Sequence, residues 1–209
     1  YLLLLNYRNE PVEFMKSQSI TWISENIAPF SPLQYYNRAC QLIESVKPDW
    51  IVGFSDTYFG ILAEHLGRKF GLKSLIDAYD NYESYLPWCT PLHFLWRRAV
   101  SQATAATAAG PQLAELLRQS RADKTVSIVP MAADIPTFMP LDRDTCRHEL
   151  NLPREKKIVG YCGSIYRNRG IQTLFDAHEI LKNTDRSIDL ILTGRKEKGV
   201  SLPSSLKWL

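Results

Sequence analysis

Two short basic loops, each following a predicted strand, are the residues in this sequence best suited to bind phosphate. Glycine lets backbone approach a ligand closely, a helix N-terminus presents free N–H groups, and arginine offers forked donors to a diphosphate. The candidate diphosphate contacts are the glycines, the serine and the arginines of these loops: Gly163, Ser164, Arg167, Arg169, Gly170 and Arg195. The alternative is that the arginines are solvated loop charges and the glycines plain turn residues.

A second polar group follows two predicted strands nearer the N-terminus. One strand ends at Tyr79 and is followed by Asp80 and Asn81, and Ser55 and Asp56 follow another. Carboxylates and amides accept hydrogens from sugar hydroxyls, while aromatic rings cover sugar C–H surface. These five residues are candidates for binding an acceptor, and Asp80 is the candidate catalytic residue, which would orient the acceptor or take its proton. The alternative for both groups is that they form turns or cap helices.

Strands and helices must alternate along the chain to position these loops. The spacing of hydrophobic residues, together with the glycines and prolines between the segments, predicts the elements. The predicted strands are 2–5, 50–54, 74–79, 104–109 and 126–130, and the predicted helices are 32–46, 59–70, 91–102 and 112–119. Strands separated by helices indicate βαβ units, and hence a parallel sheet covered on both faces. The predicted fold class is therefore α/β.

A second βαβ unit follows a polar stretch at 136–156 that contains three prolines. Its strands are predicted at 157–162 and 188–193 and its helix at 170–183, after a short helix at 145–150. We therefore expect a first domain at 1–135, a linker at 136–156 and the start of a second domain at 157–209. Two strands and one helix do not make a stable sheet, and Leu206, Trp208 and Leu209 have no evident partner. We expect a second domain cut short, and a first domain that lacks its start because the chain begins at Tyr1.

Composition excludes several classes of protein. The 209 residues carry 25 Lys+Arg against 22 Asp+Glu, a net charge of +3, so no nucleic-acid partner is expected. The four cysteines form no CxxC pair, so neither zinc nor a disulfide framework is expected, and the cytoplasm is the predicted location. No GxxxxGK[ST] motif occurs, and no GxGxxG stands between a strand and a helix, which disfavours P-loop nucleotidases and nicotinamide dehydrogenases.

Several motifs, in order over about 47–194, resemble the domain junction of GT-B-fold glycosyltransferases, with glycosyltransferase family 4 the most similar group. The junction motif is Val129-Pro130-Met131-Ala132-Ala133-Asp134 with Phe138 and Pro140, and the loop motif is Gly163 followed by Arg169-Gly170-Ile171. Upstream, Lys47-Pro48-Asp49 precedes a strand and Gly110-Pro111-Gln112-Leu113 begins a helix.

The resemblance implies two Rossmann-like parallel-sheet domains, of which the second is truncated here. It also implies transfer of a sugar from a nucleotide-diphosphate donor to an acceptor hydroxyl, with retention and without a metal or other cofactor. By this resemblance, the donor diphosphate would be bound by Gly163, Arg169 and Gly170. Ser164 stands where the family often has arginine, which leaves Arg167 as a substitute, and Tyr79 stands where many relatives have histidine.

The sequence leaves three questions open: the function, the class of acceptor and contact with a membrane. A non-catalytic sugar- or partner-binding relative would keep the fold without turnover, and an epimerase would use a nucleotide sugar on the same architecture. The acceptor is a saccharide, a lipid or a small molecule. Arg97 and Arg98, beside Phe94, Leu95 and Trp96, mark either a peripheral membrane-contacting helix or a solvated one.

Overall fold

The computed structural model describes residues 1–6, 14–17, 19–26, 31–121, 125–203 and 206–209. The chain divides into two compact units, Tyr1–Ala133 and Asp134–Leu209. Both units are α/β with parallel strands, which confirms the predicted fold class. Residues 136–156, where we expected a linker, are grouped with the second unit.

The described residues of the first unit form two sheets. Its elements in chain order are β1 (Leu2–Asn6), β2 (Phe14–Ser17), β3 (Ile20–Asn26), α1 (Ser31–Val46), β4 (Trp50–Phe54), α2 (Thr57–Phe70), β5 (Lys73–Ala78), α3 (Thr90–Gln102), β6 (Ala105–Ala108), α4 (Pro111–Arg118) and β7 (Val126–Ile128). The larger sheet has the order β4-β5-β6-β7 and is wholly parallel. The smaller sheet has the order β1-β3-β2, with β1 parallel and β2 antiparallel to β3. We had not predicted β2 and β3.

The core of the first unit lies between the larger sheet and its helices. Small residues of β5 and β6, among them Ala78, Ala106 and Ala108, are fully buried because helices cover the sheet closely. Arg121 is buried, with only 2% of its surface exposed. Its guanidinium donates to the carbonyls of Val100 (2.5 Å) and Ala103 (2.9 Å). A cation at this position satisfies carbonyls that the C-terminal turn of α3 leaves free.

In the described part of the second unit there are three parallel strands rather than two. Its elements are α5 (Arg143–Glu149), β8 (Lys157–Cys162), α6 (Ile171–Thr184), β9 (Ile188–Thr193) and β10 (Lys207–Trp208), with the order β10-β9-β8. The expectation that the last apolar residues lack a partner is wrong, because β10 pairs with Ile191 and Leu192 of β9. A strand of two residues has no hydrophobic period, so no sequence pattern could have revealed it.

Contacts distant in sequence hold β10 in place. The ammonium of Lys207 donates to the carbonyls of Leu150 (2.7 Å) and Asn151 (2.8 Å), just after α5. The buried core of this unit joins residues of α6 and β9 to those of the flanking loops: Ile165, Ile171, Phe175, Leu190, Leu192 and Val200. Among the residues that the structure describes, every helix is too short or too polar to traverse a bilayer.

Candidate functional site

The two basic loops of the second unit are joined by backbone hydrogen bonds beyond the ends of β8 and β9. Ile165 N–H donates to the Arg195 carbonyl (2.9 Å), and Glu197 N–H donates to the Ile165 carbonyl (3.1 Å). Ile165 and Lys196 form a parallel bridge, and the Ile165 side chain is fully buried. The loops are therefore one ordered edge of the sheet, with their positions fixed by backbone and by a buried anchor.

The close approach of the loops depends on Gly194. Its φ is +126°, and a Cβ built on it would lie 2.2 Å from the Gly163 carbonyl oxygen. No side chain fits at that distance from backbone. The sequence suggested that glycine lets backbone approach a ligand here, and the structure shows that Gly194 first lets one loop approach the other.

Helix α6 begins directly after Gly170. Gly170 adopts the left-handed conformation (φ +69°) and provides no side-chain cap, so the first-turn N–H groups of α6 receive no bond from a capping side chain. Unpaired N–H groups and the positive end of the helix dipole together attract anions. The sequence had correctly located this helix start.

Arg167 bridges the two loops. Its guanidinium donates to the Gly199 carbonyl (2.8 Å), and its backbone N–H donates to a carboxylate oxygen of Glu197 (3.0 Å). The residues that border a hollow of about 400 Å³ at the start of α6 are Arg167, Ile171, Gln172, Phe175, Gly199, Val200 and Ser201. Arg167 thus lies at the helix start, but part of its hydrogen-bonding capacity is used within the protein.

Arg169 and Arg195 have solvent-exposed side chains. Ser164 is half-buried, and its carbonyl accepts a hydrogen bond from the Tyr161 hydroxyl (2.9 Å). The structure therefore brings all six predicted donor residues onto one edge of the sheet in two adjoining loops. That any of them binds a diphosphate stays a prediction.

Sequence reasoning missed the supports of the second loop. The Trp208 indole donates to the Gly194 carbonyl (3.0 Å), and the Lys196 ammonium lies 5.3 Å from the centre of the Trp208 ring. Glu197 places one negative charge in an otherwise basic loop. Trp208 carried no signal because its role depends on β10, which the sequence does not indicate.

In the first unit, Asp80 is engaged in its own turn. One carboxylate oxygen accepts from the Asn81 N–H (2.7 Å) and the other from the Tyr85 hydroxyl. The Asn81 carbonyl accepts from the backbone N–H (3.0 Å) and hydroxyl (2.6 Å) of Ser84. These bonds match the turn-forming alternative, and the catalytic role of Asp80 stays a prediction.

The remaining predicted acceptor residues lie at the carboxyl ends of β4 and β5. Asp56 is the N-cap of α2 and accepts from the Thr57 N–H (2.6 Å). Ser55 has a positive φ of +84°, a conformation that costs a non-glycine residue energy and that clusters at binding sites. The Tyr79 ring is exposed and meets the Tyr82 ring edge-on at 5.7 Å.

Three polar residues at this edge were not among the predicted site residues: Asp77, Thr107 and Tyr82. The Asp77 carboxylate, on β5, accepts from the Thr107 hydroxyl on β6. Tyr82 is buried, and its burial raises the pKa of its hydroxyl above the ordinary value. Asp77 could have been recognised from the sequence as a candidate site residue, because it is a charged residue within an apolar strand. Tyr82 could not have been recognised from the sequence, because its burial depends on packing against Trp96 of α3.

Helix α3 exposes apolar and basic side chains together. Phe94, Leu95 and Arg98 face solvent. Arg97 is exposed too, and it makes two hydrogen bonds to the Glu83 carboxylate (2.8 and 2.6 Å). Contact with a membrane surface stays a prediction. Within the described parts of the chain, no three His, Cys, Asp or Glu side chains are grouped so that they could hold a metal ion.

No protein-family model and no curated protein matches the sequence. Solved structures do match the fold. Sucrose-phosphate synthase from Thermosynechococcus elongatus has a TM-score of 0.79 at 16% identity, over 97% of this chain and 57% of that one. Anabaena HepE in complex with UDP has a TM-score of 0.68 at 15% identity, over 85% and 48%. A structure assigned to a UDP-N-acetylglucosamine 2-epimerase from Listeria monocytogenes has a TM-score of 0.52 at 13% identity, over 81% and 48%.

These likenesses establish the fold: the chain has the α/β architecture of GT-B proteins, with parallel Rossmann-like sheets. The chain spans about half the length of the solved structures it matches. At identities of 13–16%, these likenesses show the fold and not the activity of the chain.

Proposed function

We propose that the protein belongs to the family 4 glycosyltransferases and moves a sugar from a nucleotide-diphosphate donor to an acceptor hydroxyl, with retention and without a bound metal. The observation that carries the proposal is the edge formed by the loops after β8 and β9 at the uncapped start of α6. Ligands of parallel α/β sheets bind outside the carboxyl ends of the strands, and an anion is stabilised at a helix N-terminus. HepE, which has the same fold, was solved with UDP and with UDP-glucose.

The donor diphosphate gains negative charge as the sugar leaves, so the groups that matter are those that stabilise this charge. The first-turn N–H groups of α6 donate to one phosphate. Arg169 and Arg195, which are exposed, add charge-assisted hydrogen bonds, and Arg167 contributes its remaining donors. Donors fixed in advance cost little reorganisation during the reaction, which is why a rigid loop edge suits this step.

The acceptor side lies at the carboxyl ends of β4 and β5. Asp80 orients the acceptor hydroxyl or takes its proton, and Tyr79 covers the sugar ring. Ser55, Asp56 and Asn81 supply further acceptors and donors for hydroxyl groups. The acceptor belongs to one of three classes: a saccharide, a lipid or a small molecule.

A thermal-shift panel of nucleoside diphosphates tests the donor site. We expect UDP or GDP to raise the unfolding midpoint, since a ligand that binds only the folded state stabilises it. Arg169→Ala should remove the shift, because a charge-assisted hydrogen bond contributes about 1.5–3 kcal/mol. Arg186→Ala is the matched control: Arg186 is also exposed in the same unit but precedes β9, at the opposite end of the strands. If no nucleotide shifts the midpoint, or if both variants behave alike, the donor site is refuted.

An epimerase is the second candidate, and the likeness to the Listeria structure favours it. Product analysis with a labelled nucleotide sugar separates the two. A transferase releases free nucleoside diphosphate and labels an acceptor, whereas an epimerase returns an isomeric nucleotide sugar. Binding without either product would identify a non-catalytic relative.

A further inference from the structure

Helices α1 and α2 meet at a group of reactive side chains that belongs to neither polar edge. It joins a thiol, an amine, a phenol and an imidazole: Cys40 and Tyr36 of α1 with Lys69 and His65 of α2. We call these four residues the α1–α2 cluster. Each of them is exposed or half-buried, so small molecules in solution reach the cluster.

The Lys69 ammonium is the centre of the α1–α2 cluster. It donates to the Tyr36 hydroxyl (3.0 Å) and to the Cys40 Sγ (3.6 Å). Its nitrogen also lies 5.0 Å from the centre of the Tyr36 ring and 5.1 Å from that of the Phe70 ring, at distances typical of cation–π contacts. These contacts hold the end of a long side chain against a sulfur that is 29 positions away in the sequence.

A path for a proton leads from Lys69 through Tyr36. The Tyr36 hydroxyl lies 3.4 Å from Nε2 of His65, and the two rings are 5.9 Å apart. The hydrogen bond to Tyr36 raises the pKa of Lys69, so the amine is charged at rest and must lose a proton before its lone pair can attack. Because a hydroxyl both accepts and donates, the phenol can pass that proton to Nε2 when the other ring nitrogen carries the hydrogen.

We propose that the α1–α2 cluster is a redox-dependent cross-link, in which hydrogen peroxide joins Cys40 Sγ to Lys69 Nζ as a sulfenamide. In the first step, the Cys40 thiolate attacks one oxygen of the peroxide and the O–O bond breaks. Two electrons pass from sulfur to the peroxide, hydroxide leaves and takes the thiol proton to become water, and the sulfur is now a sulfenic acid.

The second step forms the bond between the helices. The lone pair of the Lys69 amine attacks the sulfur, the S–O bond breaks, and the hydroxyl leaves as water with a hydrogen from the amine. In sum, one thiol, one amine and one peroxide give one sulfenamide and two waters. A sulfenic acid condenses with a nucleophile that lies beside it. Lys69 is already in contact with the sulfur, which makes this step intramolecular.

The bond would connect the two sheets of the first unit. Helix α1 packs on β3 of the smaller sheet, and α2 packs on β4 and β5 of the larger sheet. A covalent link between distant parts of a chain removes conformations from the unfolded state and so stabilises the folded one. Thiols reverse this oxidation, so the link stabilises the unit only while peroxide is present in excess. The inference does not depend on sugar transfer.

Peptide mapping of the 209-residue chain before and after treatment with hydrogen peroxide tests the inference. We expect peroxide to join the tryptic peptide that contains Cys40 to one that contains Lys69. The joined peptide should weigh two hydrogen atoms less than its two parts, and dithiothreitol should separate it. Cys162, which is more exposed than Cys40, is the internal control and should not become joined to a lysine.

Two variants separate the roles within the cluster. Lys69→Arg keeps a cation beside the sulfur, but a guanidinium does not lose its proton, so Cys40 should be oxidised without a cross-link. Tyr36→Phe keeps the ring beneath Lys69 and removes the proton path, so the cross-link should form more slowly by about tenfold or more.

Thermal unfolding provides a second measurement. The oxidised wild type should unfold at a temperature about 5 °C higher than the reduced chain, and dithiothreitol should remove the difference. Cys40→Ser and Lys69→Arg should show no such rise on treatment with peroxide, because neither variant can form the bond.

Several results would overturn the inference. Peroxide could oxidise Cys40 to its acids without joining the two peptides, or Lys69→Arg could still give a peptide joined at Cys40. Cys162 could cross-link as readily as Cys40, which would show that exposure alone decides the reaction. A joined peptide that contains an additional oxygen atom would exclude a direct S–N bond. None of these experiments involves a nucleotide, so their failure leaves the donor-site proposal unaffected.

Discussion

The polar edges of the two units are built in different ways. In the second unit, backbone hydrogen bonds join the loops after β8 and β9, and Arg169 and Arg195 extend into solvent. In the first unit, the side chains themselves bond to one another, as Asp80 does to Tyr85 and Asp77 to Thr107. A backbone-built edge depends on its glycines and leaves its charged side chains available to an anion. A side-chain-built edge presents groups that already have partners.

Gly194→Ala should have the largest effect, because the backbone-built edge of the second unit depends on this glycine. The new Cβ would meet the Gly163 carbonyl at 2.2 Å, and alanine resists a φ of +126°. We expect a loss of about 3 kcal/mol of unfolding free energy in the second unit, together with loss of any UDP-induced shift. Urea unfolding measures the first and thermal shift the second.

Gly160→Ala is the control for this prediction. Gly160 lies on β8 in the same unit, and a Cβ there has no neighbour within 4 Å. That variant should be neutral or slightly more stable, since alanine restricts the unfolded chain. Equal destabilisation by both variants would show that the loop contact is not what Gly194 provides.

Asp80→Asn tests whether the Asp80 carboxylate of the first unit acts in sugar transfer or only forms the turn. Asparagine keeps an oxygen for the turn but cannot take a proton, so transfer should fall by about a hundredfold while stability changes little. Steady-state kinetics with a labelled donor measures the effect. Tyr85→Phe is the matched variant, because it removes one bond to Asp80 and leaves the carboxylate in place. If both variants lose stability and keep their transfer rate, Asp80 only forms the turn.

Glu197→Gln should improve the second edge for an anion. Its carboxylate lies among Arg195, Lys196 and Lys198 and repels a bound diphosphate, while glutamine still accepts from the Arg167 N–H. We expect UDP to bind a few-fold more tightly, which is about 1 kcal/mol or less for an exposed charge. Calorimetric titration measures the affinity, with Glu179→Gln on α6 as the control. Weaker binding by Glu197→Gln alone would mean that the carboxylate contacts the ligand directly.

The smallest predicted effect concerns the opposite end of the second unit. Asp185 accepts from the Ser187 hydroxyl (2.6 Å) and N–H (2.9 Å) and from Lys157 (2.9 Å), which hold the pKa of its carboxyl well below the ordinary value of 3.8. A lowered folded-state pKa gives stability that is present above pH 3.8 and is lost as the pH falls through the folded-state pKa. The wild type should therefore unfold at a higher temperature than Asp185→Asn at pH 7, and the difference should shrink towards pH 2.

Thermal unfolding at several pH values checks this prediction. Ser187→Ala removes the largest of the causes and should reproduce part of the loss at pH 7. A constant difference between wild type and Asp185→Asn over the whole range would show that the ionised carboxylate contributes nothing to stability.

Local patterns in the sequence were sufficient to predict the alternation of strands and helices and the positions of the loops that follow β4, β5, β8 and β9. These features are local: hydrophobic period marks an element, and glycine, proline and polar residues mark where it ends. Gly170 before α6 and Asp56 before α2 were recognisable for that reason. The six candidate donor residues follow two strands that the sequence predicts to be parallel, and parallel strands that are neighbours end on the same side of a sheet.

Tertiary structure decided the contacts that join residues far apart in the chain. The pairing of β10 with β9, the approach of Gly194 to Gly163 and the bond between Asp77 and Thr107 each connect segments that no local pattern relates. It also decided that Asp80 already has partners and that residues of β1 and β4 line the same two hollows. Such facts follow from packing and sheet order, which depend on the whole unit rather than on any one segment of sequence.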